Sequence, residues 1–230
     1  MRLRQHAFCF AALTDGRLRD EGVGGPVTVL EGMVAGLPEV EEPVAAQPLV
    51  VFAGRHIPEK RVLALVPALA RAPEALPGLR GAILGGGPDR GEVLARVAGA
   101  GLADAVEVPG FVDGAQLHAT LRRALCLVLP SERGGYGMVV VEASAAGVPS
   151  VVCVAPDNAA VELIEEGVNG TIAPDAPRGT GCGDRGVHDG GEALRESTAA
   201  WYARNAHRLP LEASLDRVSA AYRGEVAAAS

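Results

Sequence analysis

From residue 49 onward, short apolar runs alternate with segments whose apolar positions recur at helical spacing. LVVFAG (residues 49–54), GAILGGG (81–87), AVEVPG (105–110), LCLVLPS (125–131), SVVCV (150–154) and NGTIAP (169–174) read as strands. RVLALVPALARAP (61–73), GEVLARVAGA (91–100), QLHATLRRA (116–124), YGMVVVEASAAG (136–147) and AAVELIEEG (159–167) read as the helices between them. Nearly every strand is apolar throughout instead of alternating, which is the pattern of a parallel sheet covered on both faces. The repeated alternation predicts an α/β fold: a doubly wound parallel sheet, Rossmann-like, with C-terminal helices. Such folds bind ligands beyond the C-terminal ends of their strands, so the residues just after each strand carry the chemistry.

Two stretches depart from this pattern. Residues 1–48 hold one plausible strand, VTVL (27–30), and a connector rich in Pro, Gly and Glu (36–48), too little for a second domain. Residues 175–191 are rich in Gly and Asp and read as a flexible loop. Two helices follow, around residues 194–207 and 211–226, with Trp201 and Tyr202 as anchors onto another surface. The expected organisation is therefore 1–48, 49–190 and 191–230.

Composition narrows the function classes. Aromatic residues are 3% of the chain, so the core is built from Ala, Val and Leu. A net charge of -7 argues against nucleic-acid binding, which needs a basic face. An anionic ligand must then be held by local groups. Cys9, Cys126, Cys153 and Cys182 show no CxxC spacing and no accompanying His cluster, so no metal site is expected, and a reducing, cytoplasmic setting fits them best. The broken apolar run at the N-terminus does not make a signal peptide, and no stretch approaches the roughly 20 apolar residues of a membrane span.

Four strand-end motifs stand out. GRHIPEK (54–60) offers a tight exit at Gly54 and two cations, Arg55 and Lys60, which together suit a diphosphate. They equally describe a solvated basic loop beside Glu59. LGGGP (84–88) lets a ligand approach the backbone around Gly86. In PSERGGYGMVVVEASAAGVPSVV (130–152), a glycine-rich loop opens a helix that carries Glu142. Loop amides and the helix dipole can hold a phosphate or a sugar hydroxyl, and Glu142 can accept ribose hydroxyls or simply face solvent. In APDNAAVELIEEGVNG (155–170), Asp157 or Asn158 reads as an N-cap and Asn169-Gly170 as a turn.

The order GRxxPEK, GxGP, a strand ending at Pro109, Gly110 and Phe111, then PS-x5-YG-x4-EA-x3-G-P and a turn NG resembles glycosyltransferase family 4 (group 1). These are retaining enzymes of the two-Rossmann-domain GT-B architecture. The resemblance covers roughly residues 27–174 and, more loosely, 194–223, and it identifies the chain with the C-terminal, donor-binding half. It implies that Arg55 and Lys60 hold the donor diphosphate and act as the catalytic charges. It also implies that Gly110 and Phe111 line the base, Glu142 binds ribose, and the amides of Gly135, Tyr136 and Gly137 face the transferred sugar and the phosphate.

The chain departs from the family in two places. Where the family has a Glu before the Gly-aromatic-Gly turn, this chain has Gly134, and Glu132 is two residues off register. Residues 14–34 look like the approach to the interdomain crossover, so residues 1–48 read as a remnant of that crossover, with the acceptor domain and its usual histidine essentially absent.

The expected function is sugar transfer from a UDP-, GDP- or ADP-linked sugar to an unknown acceptor, with an acceptor-domain partner chain and no separate cofactor. The alternative is a non-catalytic nucleotide-sugar-binding module or truncated pseudoenzyme. A dinucleotide oxidoreductase is disfavoured because no GxGxxG follows the first strand.

Overall fold

The structure is a computed structural model that describes residues 6–36, 44–72, 76–174 and 185–223, the side chains of 185–190 excepted. Its centre is a six-stranded, wholly parallel sheet. The strands are β3 (Leu49–Ala53), β4 (Arg80–Leu84), β5 (Val106–Gly110), β6 (Cys126–Leu129), β8 (Ser150–Cys153) and β10 (Gly170–Ala173). Their spatial order is β5-β4-β3-β6-β8-β10, so the winding reverses between β3 and β6. That reversal is the switch point at which a doubly wound sheet opens a crevice.

Helices α2 (Leu65–Arg71) and α3 (Arg90–Gly99) pack together, and α4 (Gly114–Arg123), α5 (Met138–Ala145) and α6 (Arg185–Asn205) form a second group. Right-handed crossovers put the two groups on opposite faces of the sheet. Val50, Val51, Phe52, Ile83, Leu127, Val128, Val151 and Val152 are buried between them, which is why these strands read as unbroken apolar runs. Helix α4 begins at a reciprocal cap: Asp113 accepts the Gln116 N–H while the Gln116 side chain accepts the Asp113 N–H. It ends on Arg195 of α6, whose guanidinium donates to the carbonyls of Ala124 (2.7 Å) and Arg122 (2.9 Å). Trp201 and Tyr202 are buried, as anchors of the tail should be.

The structure corrects four of the expectations. Residues 61–73 open as a 3-10 turn at Val62–Ala64 before α2, because Arg61 takes a left-handed conformation (φ 49°). Residues 159–167 form only a 3-10 turn, Ala159–Leu163. There Asn169 takes the groups that would continue a helix: its amide donates to the Leu163 carbonyl (2.8 Å) and accepts the Glu165 N–H (2.7 Å). Residues 185–191 are helical within α6, with a break at Gly191 (φ 46°, ψ -133°), while 175–184 of the expected loop lie outside the described residues.

The fourth correction is at the N-terminal end. It holds two parallel strands, β1 (Ala7–Cys9) and β2 (Val27–Val29), joined by α1 (Ala12–Asp20), where one strand was expected. Chain order continues with β7 (Arg133–Gly134) and β9 (Asp157–Asn158), a two-residue parallel ladder, and ends with α7 (Leu211–Tyr222).

Candidate functional site

Two loops meet at the switch point. After β3 the chain leaves through Gly54 and closes a 3-10 turn at Pro58–Lys60, with Pro at its first position, where no N–H is required. After β6 the chain runs through β7 to Gly137, which takes φ 106° as the N-cap of α5 and lies against Ala160. A Cβ on Gly137 would stand 2.8 Å from the Ala160 Cβ, so this turn needs glycine for both conformation and space.

Between the loops lies a cavity of about 440 Å3. Arg17, Arg55, Lys60 and Arg133 line it, with Glu59, Asp157, Gly134 and Gly135. Four cations against two carboxylates give a local positive field in a chain of net charge -7. Burial pulls the Lys60 ammonium below its ordinary value and Arg55 adds to the effect, against Glu59. Its Nζ donates to the Arg133 carbonyl (3.2 Å), which fixes it across the gap between the loops. Arg133 in turn pairs with Asp157 (3.1 Å), and Asp157 pairs with Arg17.

Helix α1 forms a wall of the cavity through Leu13, Thr14 and Arg17. Its N-terminus is held by Glu162, whose two carboxylate oxygens accept the N–H groups of Ala12 (2.8 Å) and Leu13 (2.9 Å). A carboxylate there satisfies two orphan donors and complements the helix dipole.

The expected site residues divide. Arg55, Lys60 and Gly135 line the cavity, while Gly54 packs against Gly85 behind it. Gly86 lies on the neighbouring loop, where its carbonyl accepts the His56 N–H (2.8 Å). Gly110 has φ 95° and faces Arg90. Phe111 is 89% exposed and lines, with Pro109, a separate hollow of about 890 Å3 along β4, β5 and α4. The Tyr136 side chain turns away to donate to the Glu31 carbonyl, and burial pushes its phenol up to about 12. Glu142 is half-buried on α5, and burial raises its carboxyl above the usual range, opposed by His118 of α4.

Sequence reading missed Arg17, Arg133 and Asp157. Arg133 lay in a loop read for its glycines, and Asp157 in a pair read as a cap. Arg17 carried no local signal, since only tertiary packing brings α1 to the cavity. Among the described residues, no group of three or more His, Cys, Asp or Glu side chains is placed to hold a metal, and no helix is long and apolar enough to cross a membrane.

Comparison with known proteins agrees with this architecture. The chain is 31% identical over 191 residues to the D-inositol 3-phosphate glycosyltransferase of Jonesia denitrificans, covering 79% of this chain and 44% of that protein. Among solved structures, a point mutant of S. aureus TarM in complex with fondaparinux, alpha-GlcNAc-glycerol and UDP superposes with a TM-score of 0.79 at 13% identity, over 92% of this chain and 42% of TarM. Sucrose-phosphate synthase from Thermosynechococcus elongatus gives 0.77 at 19% identity, over 95% and 58%. The chain thus spans less than half the length of the inositol phosphate enzyme. The family model for glycosyl transferases group 1 matches residues 39–177, and the chain belongs to that family.

Proposed function

We propose that this chain is the donor-binding half of a retaining glycosyltransferase, taking a nucleotide diphosphate sugar into the cavity between β3 and β6. The observation that carries the reading is the cluster of Arg55, Lys60 and Arg133 at the switch point. Arg55 offers a forked donor and Lys60 a fixed point charge, so the two suit the paired phosphates. In transfer, the bond from the anomeric carbon to the diphosphate oxygen breaks, and the acceptor hydroxyl bonds to the same face of that carbon. The acceptor proton passes to the departing diphosphate, whose charge Arg55 and Lys60 stabilise. The family resemblance gives Glu142 the ribose and the backbone at Gly110 and Phe111 the base, although none of the three lines this cavity.

Residues 1–48 lead toward an acceptor half. The buried thiols of Cys9, Cys126 and Cys153 favour a cytoplasmic setting. A second reading, a binding module without turnover, is favoured by Gly134, which presents no carboxylate to the cavity.

Calorimetry with UDP, GDP and ADP tests the site, and UDP comes first because it is the nucleotide bound to TarM. Arg55→Ala and Lys60→Ala are each expected to weaken diphosphate binding by about 1.5–3 kcal/mol, the scale of a hydrogen bond to a charged group. Unchanged affinity in both variants would place the diphosphate elsewhere.

A further inference from the structure

Arg17 reaches the cavity from outside the six-stranded sheet. It stands on α1 of the β1–α1–β2 unit, whose two strands form a sheet of their own. Leu13, Thr14 and Arg17 share one face of that helix and line the cavity together. Arg19, the other cation of α1, pairs with Asp15 one turn back (2.8 Å), so Arg17 is the cation that α1 turns to the cavity. The helix buries no residue, and polar contacts fix it in place. Glu162 holds its first turn, while the Asp157 carboxylate and the Pro156 carbonyl (3.5 Å) take Nη2 of Arg17. Among the described residues the other donors of this guanidinium stay open. Asp157 divides its two oxygens. Oδ1 faces Arg17, and Oδ2 accepts from Arg133 Nε (3.2 Å) and Nη2 (3.1 Å). One carboxylate thus holds two guanidiniums at the cavity wall and can neutralise only one of them.

We propose that Arg17 is a further diphosphate-binding residue, supplied to the site by the N-terminal unit, and that Asp157 positions it. The inference rests on the reading of this cavity as the donor site. Arg17 lines the same cavity as Arg55 and Lys60, and its guanidinium offers a forked donor to phosphate oxygens. An arginine that is held before the ligand arrives loses less rotamer freedom on binding. Asp157 therefore has two opposed effects. Its charge repels a diphosphate, while its hold on Arg17 and Arg133 prepares two forked donors for one. The second effect outweighs the first, because the repulsion acts across an open cavity where water and salt screen it. A diphosphate bound to both Arg17 and Lys60 also ties α1 more firmly to the loop after β3.

Calorimetry with UDP on Arg17→Ala, beside Arg55→Ala as reference, tests the contact. Arg17→Ala is expected to weaken UDP by about fivefold, the scale of one net hydrogen bond. Its affinity should also fall less steeply with added salt, which a loosened helix alone would not produce. UDP should slow amide exchange in α1 of the unaltered protein and leave it unmoved in Arg17→Ala. If Arg55→Ala weakens UDP while Arg17→Ala changes neither the affinity nor its salt dependence, Arg17 only ties α1 to residues 156 and 157. The inference then falls and the donor site stands. If the unaltered protein binds none of UDP, GDP and ADP, the donor-site reading falls and this role with it. Asp157→Asn tests the positioning. It is expected to weaken UDP in the unaltered background, despite removing a negative charge, and to weaken it less when Arg17→Ala is already present. Equal effects in the two backgrounds, or tighter binding in the first, would overturn the positioning role.

Discussion

Glu142 is a carboxyl held where its charged form is disfavoured. Burial raises its folded pKa above the ordinary 4.5, and the favourable field of His118 only partly offsets this. A raised folded pKa means that the native state holds the proton more tightly than the unfolded chain does. The stabilisation from that proton is complete below the unfolded value and is lost as pH rises through the folded one. Glu142→Gln cannot ionise and resembles the protonated acid in shape. The Gln variant should therefore melt with the unaltered protein at acid pH and above it near neutrality, with the gap opening through the folded pKa. If Glu142 also holds the ribose, the same change should weaken nucleoside diphosphate binding, so stability and affinity move in opposite directions. A gap of constant size across pH would remove the burial argument, and an unchanged affinity would remove the ribose role.

At the scale of elements, the joint between the loops after β3 and β4 rests on two particular glycines. Gly85 has φ 112°, and a Cβ there would fall 2.0 Å from the Gly54 carbonyl oxygen. Gly87 has φ 152°, and a Cβ there would fall 2.3 Å from the His56 carbonyl oxygen. Gly86 between them has open space around it. Gly85→Ala should cost about 1–3 kcal/mol from its backbone strain alone, with the clash adding to that. Gly86→Ala should leave the melting temperature within experimental scatter. Similar losses at both positions would mean that the loop is sensitive to any added bulk. The run GGG announces a close approach, but its letters do not say which glycine makes it.

The same limit governs what else the sequence revealed. The inner strands β4, β3, β6 and β8 were legible because they are buried on both faces and so almost wholly apolar. The edge strands β5 and β10 expose Glu107 and Ile172 and were legible from their place in the alternation. Arg55 and Lys60 were legible because they follow a strand directly. Helix α1 was not, because ALTDGRLRD buries no residue and shows no apolar stripe. It is held by Glu162, about 150 residues away in the chain. The helix expected over 159–167 was a fair reading of local spacing, overridden by one amide beyond it, Asn169.

At the scale of the whole molecule, the N-terminal β1–α1–β2 unit and the α6–α7 tail meet at residues 31–34. Leu211 N donates to the Val34 carbonyl (3.0 Å), and the Ser214 hydroxyl both donates to the Gly32 carbonyl (2.6 Å) and accepts the Gly32 N–H (3.1 Å). Glu31 pairs with Arg208 and Arg217, and its carbonyl accepts the Tyr136 hydroxyl from the glycine-rich loop of the cavity. One short segment therefore connects the β1–α1–β2 unit, the α6–α7 tail and a wall of the candidate site. Gly32 is its tightest point: a Cβ would lie 1.9 Å from the Pro210 carbonyl oxygen and 2.8 Å from that of Arg208, both backbone atoms. Gly32→Ala must push the tail away. Overpacking of this kind costs about 1–3 kcal/mol, and each kcal/mol lowers the melting temperature of a chain this size by roughly 2–4 °C. Amide exchange should then quicken in both α7 and α1, and diphosphate affinity should fall as the Arg17 wall loosens. Ser214→Ala is the companion variant, since it removes the hydroxyl contacts without adding bulk and should give a smaller change in the same direction. Faster exchange in α7 with α1 and the affinity unmoved would show that the tail docks on this segment without bracing the site.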